Sequence, residues 1–218
     1  MAVAVAERHG STHAAFGPVP VPRLWPDSTI VCLGSGPSLT REDVDYCRGR
    51  AEVIAIKNVV ELAPWADVLY GAGSDAGGRT WWSREGPTMD FAGLRYTLDP
   101  RATSWASVLA NHGDEGLSTN PAGVCTGAHS GYQAINLAVH LGARRVVLLG
   151  YDMQPDHEGR DHYFGSHPHG MPLPYRLFLA RFPTIVEPLK ELGIEVMNAS
   201  RDTALDIFPL CSIQEALA

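Results

Sequence analysis

Two clusters in this chain have residue types and spacing suited to chemistry. The first is Gly34-Ser35-Gly36-Pro37-Ser38, which follows an apolar run from Thr29 to Leu33. Glycines let a backbone turn sharply after a strand and approach a ligand closely, and the amides of a following helix start favour a phosphate. The run is neither GxGxxG nor a P-loop and has no lysine after its glycines, so a strand-to-helix turn without ligand is the competing reading. The second cluster, Asp156 to His169, gathers four of the nine histidines with Asp156, Glu158, Asp161 and Arg160. Histidine serves as general base or metal ligand near neutral pH.

Each candidate has a chemical and a plain role. His162, His167 and His169 with Asp152 or Asp161 could satisfy a transition metal, yet no HExxH or comparable rigid helical spacing is present, so no metal ligand is assigned. Asp152, just past a buried strand, could accept from ribose or substrate hydroxyls, bind magnesium or hold a loop; the rim position favours a functional role over simple capping. Asn58 could hydrogen-bond a base or ribose, or cap a helix beginning at Val59. Ser130-Gly131 offers a hydroxyl and amides to an anion, or an ordinary N-cap. Trp81-Trp82 reads as buried aromatics rather than a stacking platform, and Arg144-Arg145 as solvated.

The elements that must position these residues form a strand-helix alternation. After the glycine turn, Thr40-Arg41-Glu42-Asp43 has a capping-box-like form opening a helix to about Arg48, with Gly49 as its stop. Short apolar strands follow at Val53 to Ile56, ending at Lys57-Asn58, and at Asp67 to Tyr70, ending at Gly71-Ala72-Gly73. Gly131 to Leu141 carries apolar residues at helical spacing, Gly142 ends it, and Val146 to Leu149 is a continuous apolar strand running into Gly150-Tyr151-Asp152. Parallel sheets bind ligands at the carboxyl ends of their strands, which puts segments 34–38, 57–58, 71–75 and 150–152 on one rim. Residues 153–174 form a loop too long for an ordinary connection, of the kind that acts as a lid. Arg176 to Leu192 is helical with breaks near Pro183 and Pro188, Ile194 to Met197 is a strand, and Ile213 to Leu217 is a last helical turn.

The 218 residues, 45% hydrophobic, are enough for one full core. A net charge of −7, with Lys57 and Lys190 the only lysines, gives no positive field for duplex nucleic acid, which enters only as a locally held substrate. Cys32, Cys47, Cys125 and Cys211 are far apart without CxxC and read as small core residues. No apolar run spans a membrane and Met1 to Ala6 makes no secretory signal, so the expected location is the cytoplasm.

GSGPSL after a first strand, an Asn ending the second, SGYQAINLAVHLGARRVVLLGYDM, HYFGSH and a closing NAS…IFP segment together resemble the superfamily of bacterial lipooligosaccharide sialyltransferases. That grouping includes flagellin motility accessory factors and archaeal 6-hydroxymethylpterin pyrophosphokinase-like proteins, and the arrangement looks most similar to small phage and prophage proteins labelled norphogenetic. The resemblance covers roughly residues 29 to 210 and is most specific in the helix-strand block with GYD. It implies that Gly34, Ser35, Gly36, Pro37, Ser38, Asn58, Ser130 and Gly131 hold a nucleotide sugar, that His162 or His167 is the general base, and that Tyr163 meets a phosphate. It also implies no strict metal dependence, although in the pterin branch ATP and magnesium occupy the rim, with Asp152 and Asp75 as ligands. Two departures stand out: the sialyltransferase turn reads GNGPS where this chain has Ser35, and a tyrosine expected two residues beyond the GYD aspartate is Gln154.

The expectation is an N-terminal arm over residues 1–27 and a single Rossmann-like α/β domain over 28–218, with a mostly parallel sheet, helices on both faces and a histidine-rich lid at 153–174. Its expected function is transfer of a sugar from a nucleotide-sugar donor to a hydroxyl of a small-molecule or glycan acceptor, with catalytic His162, His167 and Asp152. The alternatives are ATP- and magnesium-dependent pyrophosphoryl transfer and a non-catalytic nucleotide-binding phage accessory protein, acting in the host cytoplasm. Association into a homo-oligomer is left open.

Overall fold

The structure is a computed structural model that describes residues 17–72, 81, 90–165 and 173–218. The apolar, β-branched runs predicted as strands pair side by side in one seven-stranded sheet. β1 (Ser28–Leu33), β2 (Glu52–Ile56), β3 (Val68–Tyr70), β4 (Leu94–Thr97) and β5 (Ser107–Val108) extend in one direction, and β8 (Ala143–Leu149) and β9 (Glu195–Asn198) lie on the other side of β1. The order is β5-β4-β3-β2-β1-β8-β9 and every pairing is parallel. A two-stranded parallel ribbon, β6 (Ala110–Asn111) with β7 (Gly123–Val124), stands apart from it. The chain first builds outward from β1 through β2 and then returns to its other flank with β8, so the strand order reverses between β1 and β8. In open α/β sheets that reversal opens a crevice at the carboxyl ends of the two strands.

Both faces of the sheet are covered, which explains why β1 from Ile30 to Leu33 and β8 from Val146 to Leu149 are continuously apolar rather than alternating. Ile30 and Cys32 belong to one core, Val31 and Leu33 to the other. The first core is closed by α2 (Ser130–Leu141), α3 (Tyr175–Arg181) and α4 (Pro183–Glu191); the second by α1 (Arg41–Cys47), the 3-10 turn Lys57–Glu61 and α5 (Ile213–Ala216). α1 starts as its cap residues dictate, with Thr40 accepting from the Asp43 amide. α2 stops at Gly142 in the left-handed conformation, φ 113°. Of the two prolines expected to interrupt the C-terminal helical region, Pro183 opens α4, where a missing N–H costs nothing, while Pro188 is carried inside it. The described part of the N-terminal arm is extended and docked: Val19 and Val21 amides bond to Val108 and Pro121 carbonyls, and those of Trp25 and Asp27 to the end of α2.

α2 is tied to its surroundings by polar groups as well as by packing. Asn136, fully buried, accepts from the Ser118 and Cys125 amides and donates to the Ser118 carbonyl. The Tyr132 hydroxyl reaches the Gly116 carbonyl and Thr184 Oγ, both at 2.8 Å, and so links α2 to α4. Removing that hydroxyl in Tyr132→Phe is expected to cost about 1 kcal/mol, because the ring stays packed while the half-buried Gly116 carbonyl and Thr184 hydroxyl lose a shared partner. The check is a lowered urea midpoint with an unchanged m-value.

Candidate nucleotide site

At the carboxyl ends of β1 and β8 two glycine turns lock together through their backbones. The Gly34 amide donates to the Leu149 carbonyl at 2.8 Å and the Gly36 amide to the Gly150 carbonyl at 2.9 Å. The approach leaves no room for side chains: a Cβ on Gly34 would lie 2.5 Å from the Gly150 carbonyl oxygen, and one on Gly36 would collide with the Asp152 carboxylate. These two positions need glycine for proximity, and Gly150, at φ +73°, needs it for conformation as well.

Asp152 is 2% exposed, and both of its oxygens are engaged: Oδ2 accepts from the Ser38 amide at 2.6 Å and Oδ1 from the Ser38 hydroxyl at 2.9 Å. Burial pushes its pKa up to about 6; the Ser38 bonds oppose the shift, and the charges of Asp202 and Asp156 add to it. The carboxyl thus braces the β1 turn across the crevice. Tyr151 is fixed beside it, its amide on Ser200 Oγ and its hydroxyl on the Gly131 carbonyl at the start of α2.

The cap of α2 is His129, one residue before the serine expected to fill that place. Its Nδ1 accepts from the Gly131 amide at 3.1 Å. The residue keeps some exposure, but its ring is enclosed by Phe178, Phe182 and Tyr151, with centroids 4.6, 6.2 and 6.4 Å away. Burial, and after it the charge of Lys57, lowers its pKa to about 3, so the imidazole is neutral at physiological pH. Lys57 itself follows β2 with φ +52°.

These parts surround a cavity of about 260 Å³, just under the usual range of small-molecule sites of roughly 300–1,000 Å³. Its lining combines the backbone from Gly34 to Pro37, Ser130 and Gly131 and the charged Lys57, Asp152 and Asp161 with the apolar Leu173, Tyr175 and Phe178. Among the described residues four non-glycine residues have positive φ, and three of them, Lys57, Ala128 and Met153, line this cavity. Backbone held in sparsely populated conformations collects at functional sites, so the concentration singles out this crevice.

Of the residues singled out from the sequence, Gly34, Ser35, Gly36, Pro37, Ser130, Gly131, Asp152 and His162 come together in the lining. Ser38 stands behind it as the partner of Asp152. Asn58 is not in the lining, since its side chain accepts from Trp81 Nε1 at 2.7 Å and donates to Glu61 at 3.3 Å. Tyr163 is not either: its amide donates to the Ser35 carbonyl at 2.8 Å, which ties the 153–165 segment to the glycine turn, while its ring packs on Phe164 and the second core. His167, Asp75, Trp82 and His169 lie outside the described residues. Among the described residues no group of three His, Cys, Asp or Glu is gathered so as to hold a metal ion, and no helix is long and apolar enough to cross a membrane.

The sequence reading put Lys57 on the rim without giving it a role, and missed His129, Tyr175 and Phe178 as lining residues. Lys57 carried a usable signal, a lone lysine directly after an apolar strand on the predicted rim. His129 carried a weaker one, a polar residue immediately ahead of the helix pattern. The aromatic wall comes from a helix distant in sequence and had none. Comparison of the chain with protein-family models, curated proteins and solved structures gives no match, so the functional reading stands on the geometry of this crevice.

Proposed function

We propose that the crevice binds the phosphate-bearing part of a nucleotide and that the protein is a nucleotide-dependent transferase, with transfer of a sugar from a nucleotide sugar to a hydroxyl acceptor as the leading reaction. The observation that carries this reading is the convergence of two glycine turns, the start of α2 and Lys57 on one cavity that Tyr175 and Phe178 also line. Amides and an ammonium suit an anion, and a ring wall suits a base or sugar face.

In the proposed reaction the acceptor oxygen forms a bond to the sugar's anomeric carbon as the bond from that carbon to the phosphate oxygen breaks. The negative charge passes to the leaving phosphate, where Lys57 and the turn amides stabilise it. The acceptor's proton goes to a loop histidine, His162 or His167. In His162 the receiving atom is Nδ1, which has a long hydrogen bond of 3.3 Å from the Phe164 amide to give up. ATP- and magnesium-dependent pyrophosphoryl transfer would ask Asp152 for a metal-facing lone pair beside the bonds its two oxygens accept from Ser38.

A thermal-shift screen of nucleotides and nucleotide sugars tests this. A binder at about 100 times its dissociation constant is expected to stabilise the protein by about 2.7 kcal/mol, and Lys57→Met is expected to remove most of that shift. Stabilisation by no nucleotide or nucleotide sugar would overturn the proposal. A strict magnesium requirement with AMP formation would reassign the chemistry to pyrophosphoryl transfer, and binding without turnover of any donor would leave a nucleotide-binding protein.

A further inference from the structure

His129 has no part in the transfer chemistry above, yet it lines the same cavity. The Gly131 amide can only donate, so the Nδ1 that faces it at 3.1 Å must present its lone pair, and the proton of the neutral ring therefore sits on Nε2. The arrangement is sterically enforced: a Cβ at position 131 would meet His129 Cε1 at 2.7 Å and Nδ1 at 2.8 Å. Phe178, with its ring 4.6 Å away, holds the imidazole from the other side. Among the described residues no group accepts the Nε2 hydrogen.

We propose that His129 is a positioning residue whose Nε2–H is a fixed hydrogen-bond donor to a phosphate oxygen of the bound nucleotide, acting beside the Lys57 ammonium. This rests on the reading of the crevice as a nucleotide site. A donor already oriented by its neighbours needs no reorganisation when the anion arrives, which is the condition under which such donors act most strongly. The role also separates this histidine from His162 and His167, the candidate bases. With one nitrogen committed to the helix cap and the other carrying the proton, it has no lone pair to offer as a base.

The test uses the full chain with CDP and ADP as probes and cytidine and adenosine as their phosphate-free controls. His129→Asn keeps an acceptor at the helix cap but is too short to replace the far nitrogen; it is expected to weaken CDP or ADP binding about tenfold or more and leave the nucleosides unchanged. His129→Gln, whose carbonyl can cap and whose amide can donate, is expected to recover part of the loss. Nitrogen-15 NMR of the wild type is expected to show His129 with its proton on Nε2 at pH 7 and that resonance displaced when CDP or ADP saturates the site. A proton on Nδ1, an Nε2–H unmoved at saturation, or His129→Asn binding CDP and ADP as the wild type does would each overturn the inference while leaving the nucleotide site intact. Failure of the wild type to bind CDP, ADP or any other nucleotide or nucleotide sugar of the screen above would remove the nucleotide reading and this inference together.

Discussion

Replacing Gly150 by alanine is expected to destabilise the protein by about 3–5 kcal/mol, a large share of the roughly 5–15 kcal/mol by which domains are stable. Two costs combine. At φ +73° an L side chain is strained by about 1–2 kcal/mol. The new Cβ would also lie 2.5 Å from the Gly34 carbonyl oxygen and 2.9 Å from its carbon. Backbone cannot rotate out of the way as a side chain would, so the β1 and β8 turns must separate. Gly193 is the control: its φ is +68°, but nothing lies within 4 Å of a Cβ built there. Gly193→Ala should therefore lose only about 1 kcal/mol, the strain without the collision. Urea denaturation of both variants reads the difference, and equal losses would show that the turn-to-turn contact adds nothing.

Asp152→Ala is expected to cost about 1–3 kcal/mol, because the half-buried Ser38 amide and hydroxyl both lose their acceptors. Asp152→Asn should stay within about 1 kcal/mol of the wild type, its carbonyl accepting from the Ser38 amide and its NH₂ donating to the hydroxyl. The pH dependence follows from the same burial. The folded-state pKa, about 6, stands above the ordinary 3.8, so the native protein holds this proton more tightly than the unfolded chain. That contribution to stability is complete below about pH 4 and is lost as pH rises through about 6. Between pH 5 and pH 8 the wild type should therefore lose stability relative to Asp152→Asn. An alanine variant as stable as the wild type would sink the bracing role. An asparagine variant that folds but no longer binds nucleotide would move Asp152 from brace to ligand contact.

Much of the positioning framework was legible because its signals are local. The apolar runs before Gly34 and Gly150, the cap at Thr40 and the Gly142 stop are each decided by a few adjacent residues, and the structure places strands and helices there within about three residues of the reading. β4 to β7 were not legible. They are two to four residues long, and Leu94–Thr97 has an arginine at its second position and an exposed leucine at its first. Such strands are defined by the neighbour they pair with, not by a pattern of their own. The cavity shows the same division. Its glycine side could be read from consecutive residues, whereas its aromatic wall depends on α3 folding back over α2 and has no counterpart in any one window. Pro188 shows the reverse limit, since a strong local breaker is tolerated where the packing of Ile185 and Leu189 against the first core holds the helix together.

The cross-sheet bond between Ser38 and Asp152 joins residues 114 positions apart. β1 therefore emerges from the ribosome long before β8, and one flank of the central strand waits unpaired for most of synthesis. Long-range parallel pairing of this sort forms slowly and late. An amino-terminal fragment ending short of residue 149 would have the glycine motif in its sequence and no cradle in its structure. Competence to hold a ligand thus waits until β8 has been made, and while the strand edge is exposed the chain is most open to aggregation or chaperone capture.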